Sequence, residues 1–276
     1  MLLQPRPIDP NMPAHERVYR SLRTRIMHGE LGPGEALTLR GIGKTYDVSM
    51  TPARESVRRL VAEGALFLSS SGRVSTPVLS NERIEELATL RAMLEPELAT
   101  RALPRAHFAL IERLETINNG ISQMVARHDA SGYIRMNLEF HRTLYLRAQA
   151  PAMLAMTETV WLQLGPTMRA LYGRLNRTEP PYHHRLILAA LKAGDDPGLR
   201  LAVRTDATQG LRMLKGKMSR LCFLANHANS GSSIRLRVMI ANTAQLVEKK
   251  IRLKSVSLPQ NKSPATSNAA QLITAS

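Results

Sequence analysis

Hydrophobic residues recur at the three- and four-residue spacing of an α-helix along most of the chain, from residue 15 to about residue 222. A short second helix is expected to start after Thr38, whose hydroxyl suits an N-cap, and to end near residue 46. In the first segment, residues 15–27, the apolar face is formed by Val18, Leu22 and Ile26. The N-terminal segment therefore predicts two helices joined by a glycine-containing turn.

The stretch VSMTPARESVRRLVAEGAL, residues 48–66, predicts a third helix. Thr51 is expected to be its N-cap with Pro52 at the first helical position, where the missing N–H costs nothing. The helix is expected to run to about Glu63 and to stop at Gly64. Its two sides differ, because one carries arginines and the other carries the apolar Val57, Leu60 and Val61.

Residues 65–78, ALFLSSSGRVSTPV, hold two strand-like apolar stretches around a Ser/Gly turn, which predicts a small hairpin. Three helices followed by a hairpin have the outline of a winged helix-turn-helix domain. We assign this domain to residues 15–79. The Pro-rich residues 1–14 are expected to form a flexible arm.

After residue 80 the chain contains six segments with helical spacing, separated by prolines or short polar stretches. They span residues 81–103, 105–127, 130–148, 152–175, 182–193 and about 198–222. This pattern predicts an all-helical domain over residues 80–225, so the fold class is mainly α, a winged helix-turn-helix plus an all-α bundle. Residues 226–276 are expected to be a basic, disordered tail.

Lysine and arginine number 38 against 22 acidic residues, a net charge of +16. This balance points to a polyanionic partner, either nucleic acid or an anionic membrane surface. The tail lacks the strongly amphipathic face that membrane binding needs. The single cysteine, Cys222, excludes an internal disulfide framework and a cysteine-rich zinc site. With no signal peptide and no long apolar run, we expect a cytoplasmic protein without a membrane span.

The start of the third helix has the chemistry of a DNA-reading element. A helix N-terminus offers N–H groups and a positive dipole to phosphates, and Ser49 and Thr51 can add hydroxyl contacts. Arg54, one turn further, can donate two bonds to a guanine. Any one of these arginines alone is more often a solvated surface residue. The arrangement as a whole favours DNA.

Polar residues of the helical domain include a set of nitrogen and oxygen donors that suit a divalent transition metal. Asn137 and His141 are four residues apart and share one helix face, and His184 and Asp206 lie on later helices. A metal-dependent hydrolase or deaminase built on the two histidines and Asp206 is the enzyme alternative. It needs a general base, and the nearby Glu139 points away from this face.

Residues 15–78 contain a characteristic set of motif residues: Gly29, Pro33-Gly34, Val48-Ser49, Thr51-Pro52, Arg54-Glu55, Leu60 and Glu63-Gly64. With these residues the segment resembles the winged domain of the GntR family of bacterial transcription regulators. The resemblance implies DNA contacts from Arg40, Ser49, Thr51 and Arg54, and a wing around Ser71, Gly72 and Arg73 that enters the minor groove. Met50 stands where the family usually has arginine, which we expect to alter the operator sequence.

Residues 83–220 contain the motifs LRAMLEPELATRAL, NLEFHRTLYLRAQAP, HRLILAALKAGD and AVRTD. With these motifs the segment resembles the FCD-type effector domain of the FadR-like branch of the same family. Many members bind a metal through an Asp and three His, and the effector, often a carboxylate, sits on that metal. Here Asn137 stands at the Asp position and Asp206 at the third His position, while His141 and His184 match.

The resemblance thus implies a divalent metal (Zn, Ni or Mn) held by Asn137, His141, His184 and Asp206. The alternative is a polar cluster that has lost the metal and binds the effector directly. Arg91 matches an arginine that would grip a ligand carboxylate, and its other interpretation is an ion pair with Glu95 at i+4.

These observations predict a transcription regulator rather than an enzyme. We expect a homodimer, because one short recognition helix contacts too few bases for a specific site and a two-fold axis doubles it. Its partners would be a pseudo-palindromic double-stranded operator and a small organic acid or related metabolite. Repression relieved by that metabolite is the usual mode of the family.

Overall fold

The computed structural model describes residues 12–69, 71–172 and 182–212. The N-terminal part of this range forms a winged half of three helices and a small antiparallel sheet. The helices are α1 (Ala14–Met27), α2 (Leu39–Tyr46) and α3 (Met50–Ala62). The strands are β1 (Ala36–Leu37), β2 (Phe67–Leu68) and β3 (Val74–Ser75), in the order β1-β3-β2, with Ser75 opposite both Ala36 and Phe67.

The remaining described residues form a helical half. Its helices are α4 (Asn81–Ala102), α5 (Phe108–Ala126), α6 (Ala130–Tyr145), α7 (Pro151–Tyr172), α8 (Tyr182–Ala193) and α9 (Asp196–Arg212). Short 3₁₀ turns follow α4 and α6. The predicted fold class, a winged helix-turn-helix plus an all-α bundle, is confirmed. The first winged helix starts at Ala14, one residue before the predicted start.

The prediction that Thr51 caps α3 was wrong. Ser49 is the N-cap, with extended backbone, and Met50 is the first helical residue. Thr51 and Pro52 therefore occupy the second and third positions. A proline fits there as well as at the first position, because the N–H groups of the first turn have no intrahelical partner. The end of the helix is as predicted, since Gly64 follows the C-cap Glu63 with φ +71°.

The cap of α2 is confirmed, because the Thr38 hydroxyl accepts a hydrogen bond from the Gly41 N–H at 2.9 Å. Strand β1 was not predicted. Its two residues are too few to show the alternation that marks a strand. It is held by pairing with β3 and by the buried Thr76, whose hydroxyl donates to the Gly32 carbonyl and accepts from the Glu35 N–H.

Each half has its own hydrophobic core. The winged core is built on α1 and α3, and the buried residues that line it include Val18, Leu22, Ile26, Val57 and Leu60. Val61, predicted to face the core, is only partly buried. The larger helical core lies between α4, α5, α6, α7, α8 and α9. Leu162 of α7 is fully buried in the winged core, and Met27 of α1 packs on both cores.

The two halves meet where α1 crosses α7, and we call this contact the seam. A Cβ atom on Gly165 would lie 2.1 Å from the Ile26 carbonyl oxygen and 2.9 Å from the Met27 Cα, so the two backbones touch. Arg169 donates to the carbonyls of Gly29 at 2.9 Å and Glu30 at 3.3 Å. The seam thus combines backbone packing with hydrogen bonds.

Four predictions fall on residues outside the described range: the arm over residues 1–11, the end of the helix predicted over 152–175 beyond residue 172, the end of the last helix beyond residue 212, and the tail over 226–276. Among the described helices, none is both long and apolar enough to cross a bilayer.

Candidate DNA-binding surface and effector site

The residues expected to contact DNA are exposed on the winged half. Arg40 lies in the first turn of α2, Ser49 caps α3, and Thr51 and Arg54 follow in its first turns. The Ser49 hydroxyl makes no capping hydrogen bond, so it is available to a phosphate. Met50 between them is 40% exposed, so its side chain is accessible at the start of the helix.

The arginines along α3 differ in what they contact. Within the described part of the chain, no carboxylate lies within ion-pair distance of Arg54 or Arg58. Arg59 instead pairs with Glu16 at 2.8 Å and Glu63 at 3.5 Å, and its guanidinium lies 3.5 Å from the Tyr19 ring centroid. Arg59 therefore ties α3 to α1.

The wing is the turn between β2 and β3. Gly72 has φ +78° and open space around it, and Arg73 beside it is exposed. The turn is closed by the Ser69 N–H, which donates to the Arg73 carbonyl at 2.9 Å. A glycine at the tip suits close approach to a nucleic acid backbone, because the position demands a left-handed φ and presents no side chain.

In the helical half, three of the four predicted metal ligands converge. The Nε2 atom of His141 on α6 lies 2.9 Å from a carboxylate oxygen of Asp206 on α9 and 3.3 Å from the Nε2 atom of His184 on α8. The ligand atoms of all three residues lie within 4.8 Å of one another. Both histidines are fully buried and Asp206 is largely buried.

The partners on the other side of each imidazole fix its tautomer. Tyr145 donates its hydroxyl hydrogen to Glu95 at 2.9 Å, so its oxygen is left to accept from His141 Nδ1 at 3.1 Å. His184 Nδ1 likewise donates to the Asn118 side-chain oxygen at 3.1 Å. When the imidazoles are neutral, both Nε2 atoms therefore carry lone pairs, and both face the Asp206 carboxylate.

Lone pairs that converge on a carboxylate repel one another unless a cation or a proton lies between them. Second partners that hold imidazoles in this way are typical of metal-ligating histidines. The donor set of two imidazole nitrogens and a carboxylate fits zinc, nickel or manganese. Without a metal, the repulsion is relieved by a proton between His141 and Asp206, which then form an ion pair. The residues present thus fit a divalent metal.

A buried polar network surrounds the cluster. Glu95, fully buried, accepts from Arg91 Nε at 2.5 Å, from the Tyr145 hydroxyl and from Trp161 Nε1 at 3.0 Å. Asn118, Glu95, Tyr145 and Trp161 were not predicted as site residues. The i, i+4 spacing of Arg91 and Glu95 was the one signal in the sequence, and the ion pair it suggested is present.

The charges in this network shift several pKa values. Burial raises the pKa of Asp206, but the charges of His184 and His141 and the hydrogen bond from His141 outweigh it, so the pKa lies well below the ordinary range. Burial also opposes ionisation of Glu95, yet the Arg91 charge lowers its pKa. Burial and the adjacent Glu95 carboxylate raise the pKa of Tyr145 well above 10.0. Both acids thus remain charged at neutral pH.

Asn137, the fourth predicted ligand, lines a small cavity beside the cluster. It shares the wall with Arg91, which is held by Glu95 and still contributes to this surface. His141 lies one turn further along the same face of α6. The cavity wall therefore includes an amide and a guanidinium that a small polar ligand could contact.

Two neighbouring polar residues lie outside the cluster. His183 is partly buried and is hydrogen-bonded through Nε2 to Gln209. Glu139 accepts from Arg113 on α5 at 3.4 Å, consistent with its predicted direction away from the cluster. No base is therefore supplied by Glu139 to an enzyme reaction at this site.

Both halves of the described chain match models of known protein families. Residues 14–75 match the model for bacterial regulatory proteins of the gntR family, and residues 86–208 match the FCD domain. The chain belongs to the GntR family. GntR proteins are transcription regulators, which decides against the enzyme alternative and confirms the predicted family.

One regulator is similar to this GntR protein both in sequence and in its solved structure. The HTH-type transcriptional regulator McbR of Escherichia coli is 27% identical over 207 residues, 74% of this chain and 94% of that protein. The solved structure of E. coli McbR/YncC has a TM-score of 0.68 at 26% identity and covers 74% of this chain and 97% of that chain.

Two further relatives are more distant. The gluconate operon transcriptional repressor of Bacillus subtilis is 26% identical over 189 residues, 65% of this chain and 76% of that protein. A putative GntR regulator from Rhodococcus sp. RHA1 shares the fold, with a TM-score of 0.61 at 21% identity over 74% of this chain and 98% of that chain.

Proposed function

We propose that this GntR regulator is a cytoplasmic, metabolite-responsive repressor. It binds a pseudo-palindromic operator as a homodimer and releases it when a small carboxylate binds the helical half. The observation that carries the proposal is the convergence of His141, His184 and Asp206 beside a cavity lined by Arg91 and Asn137. Similarity to a gluconate operon repressor supports repression rather than activation.

The three converging donors would hold a divalent metal, and Asn137 lies where it could add an oxygen donor. When bound, the metal supplies a Lewis-acidic point for a carboxylate oxygen. Tyr145 and Asn118 keep the two imidazoles in the tautomer that presents Nε2. The residues of the chain thus orient the donors before any ligand arrives.

Charge balance favours an anionic effector once the metal is present. Arg91 contributes one positive charge, and Glu95 and Asp206 contribute two negative charges. The cluster alone is therefore negative and repels a carboxylate. A divalent cation reverses the sign, and a monocarboxylate then makes the site neutral. Effector binding is expected to require the metal.

At the DNA, the exposed start of α3 is expected to enter the major groove. Arg54 would read a guanine, Ser49, Thr51 and Arg40 would contact phosphates, and Arg73 in the wing would reach the minor groove. The two-fold symmetry of a dimer would place two such helices about one helical turn of DNA apart.

Elemental analysis of the purified protein tests the site. We expect about one divalent metal per chain, lost in the His141→Ala, His184→Ala double variant. His183→Ala is the matched control, because this neighbouring histidine bonds to Gln209 and should retain the metal. If the wild-type protein holds no stoichiometric metal after exposure to zinc, nickel and manganese, the proposed metal site is refuted.

Binding to an operator duplex tests the homodimer and the metal-dependent response to the effector. A duplex selected from a random pool should bind one dimer, seen by sedimentation, with two half-sites in its sequence. Metal-loaded protein should lose affinity for this duplex with one or more members of a panel of sugar acids and hydroxy acids, and metal-stripped protein should not respond. Binding as a monomer, or a response that is independent of metal, would contradict the proposal.

A further inference from the structure

One wall of the cavity beside the metal cluster comes from the winged half. Met27, the last residue of α1, lines this cavity, and the other walls come from α4, α6 and α7. Its side chain packs on both hydrophobic cores. The winged half therefore contributes a side chain to the site where the helical half would bind its effector.

The cavity is too small for a carboxylate metabolite as its walls stand. Its volume is about 20 Å³, which is room for about one water molecule. A larger ligand must therefore displace a wall. The adaptable walls are Met27 and Met168, because methionine has three rotatable bonds and no branching.

The seam limits how α1 can respond when Met27 is displaced. The α1 backbone at Ile26 and Met27 already touches α7 at Gly165, so it cannot move deeper into the helical half. Met27 packs on both cores, so where its side chain cannot swing aside, pressure from the cavity moves the end of α1 outward or turns it. Either motion strains the hydrogen bond from Arg169 to the Gly29 carbonyl.

Any motion of α1 is carried to the recognition helix. The Ser56 hydroxyl on α3 donates to the His15 carbonyl at 2.7 Å, and the Tyr19 hydroxyl on α1 donates to Glu63 at 2.6 Å. Both helices also share the winged core, in which Leu60 is fully buried. Closely packed helices move as one body, so α3 follows α1.

We propose that Met27 couples the two sites: an effector entering the cavity displaces Met27, tilts α1 and α3 together, and changes the spacing of the two recognition helices on the operator. This inference rests on the proposed function and narrows its regulation to one side chain. A ligand that fitted without moving Met27 would bind and leave the operator affinity unchanged.

Cavity-filling variants test the coupling without a known effector. Leu138→Phe on α6, or Met168→Phe on α7, adds bulk to the cavity from the helical half. Each is expected to weaken binding to the selected operator duplex by roughly fivefold or more, the usual range of allosteric coupling. Adding Met27→Ala to either variant makes room on the winged side and should restore the affinity.

The control for restoration is Met153→Ala, added to the same Phe variants. Met153 is also a partly buried methionine packed on the helical core, but it does not line the cavity. It should leave the weakened affinity as it is. Since the Phe substitutions lie on different helices, a folding defect in one leaves the other as a readout, with melting temperature as the check. Trp161, the single tryptophan, lines the cavity and reports its repacking by fluorescence.

The outcomes separate this inference from the proposed function. A folded Phe variant with wild-type operator affinity overturns the role of Met27, and so does equal restoration by Met153→Ala. If the wild-type protein selects no duplex at all, the proposed DNA function fails instead. Weakening that only Met27→Ala reverses supports the coupling.

Discussion

The recognition helix and the buried cluster use polar side chains in opposite ways. On α3, Arg54 and Arg58 are exposed, and no described carboxylate pairs with them. In the helical half, Arg91, Glu95 and His141 are buried, and each is bonded to another member of one network. The exposed arginines of α3 would gain partners from a bound molecule, whereas the buried side chains find most of their hydrogen-bond partners within the fold.

Because of this difference, substitutions in the two sets should affect different properties, DNA affinity for the first and folding stability for the second. Exposed side chains without partners cost the fold little when they are removed, so their loss should appear in DNA affinity alone. Members of a buried network leave desolvated groups unpaired when one is removed, so their loss should appear in stability as well. The following variants are chosen to break or sharpen this distinction.

The largest effect is expected from Glu95→Ala. This change leaves the Arg91 charge buried without its partner and removes the acceptor of both Tyr145 and Trp161. We expect a loss of about 3–5 kcal/mol in the free energy of unfolding, measured by urea titration. Glu97→Ala is the control, because Glu97 makes exposed ion pairs on the same helix and should cost much less. Equal losses for the two variants would contradict the distinction.

Arg54→Ala should show the opposite behaviour. Losing a bidentate guanine contact is expected to weaken operator binding by about 1–3 kcal/mol, while the melting temperature stays at the wild-type value. Arg59→Ala makes the comparison sharper, since Arg59 is engaged with Glu16, Glu63 and Tyr19. It should lower stability more than Arg54→Ala and affect DNA binding less. A gel-shift titration at fixed salt that gives Arg54→Ala wild-type affinity would exclude its role.

Gly165→Ala tests the seam between the two regions. The added Cβ meets the backbone carbonyl of Ile26 at 2.1 Å, and backbone cannot step aside. We expect about 1–3 kcal/mol of destabilisation by thermal or urea unfolding. In Gly120→Ala the new Cβ meets the flexible end of Met136, so a similar clash should be relieved cheaply. A neutral Gly165→Ala would mean that the seam is looser than described.

The smallest expected effects compare two helix N-caps. Thr38→Ala removes the hydroxyl that accepts from Gly41 and should cost about 1 kcal/mol of stability. Ser49→Ala removes a hydroxyl that makes no capping bond, so its stability should hardly change, while operator affinity falls modestly. If Ser49→Ala proves as destabilising as Thr38→Ala, its hydroxyl serves the fold rather than DNA.

The sequence predicted local structure well where short-range chemistry decides it. Thr38 and Gly64 were assigned correctly, because capping and a left-handed φ are properties of a few neighbouring residues. The start of α3 was misplaced by two residues, since Ser49, Thr51 and Pro52 all suit a helix start and only the backbone selects among them. Strand β1 exists through its pairing with β3, which is not a local property.

The candidate site was less accessible to sequence reasoning. His141, His184 and Asp206 come from three helices, and the family resemblance rather than their spacing grouped them as ligands. Asn118 and Tyr145 set the histidine tautomers through contacts 66 and 4 residues away along the chain. A tyrosine four residues after a histidine is too common to signal such a role. The network is a product of tertiary packing.

The burial of Leu162 has a consequence for the order in which the chain becomes native. This side chain closes the core of the winged half, yet it lies far downstream on α7. During synthesis, the ribosome must therefore release most of the helical half before the DNA-reading half can complete its interior. A nascent chain that stops before α7 would present a DNA-binding surface over an unfinished core, so the order of synthesis itself delays operator binding until the sensing half exists.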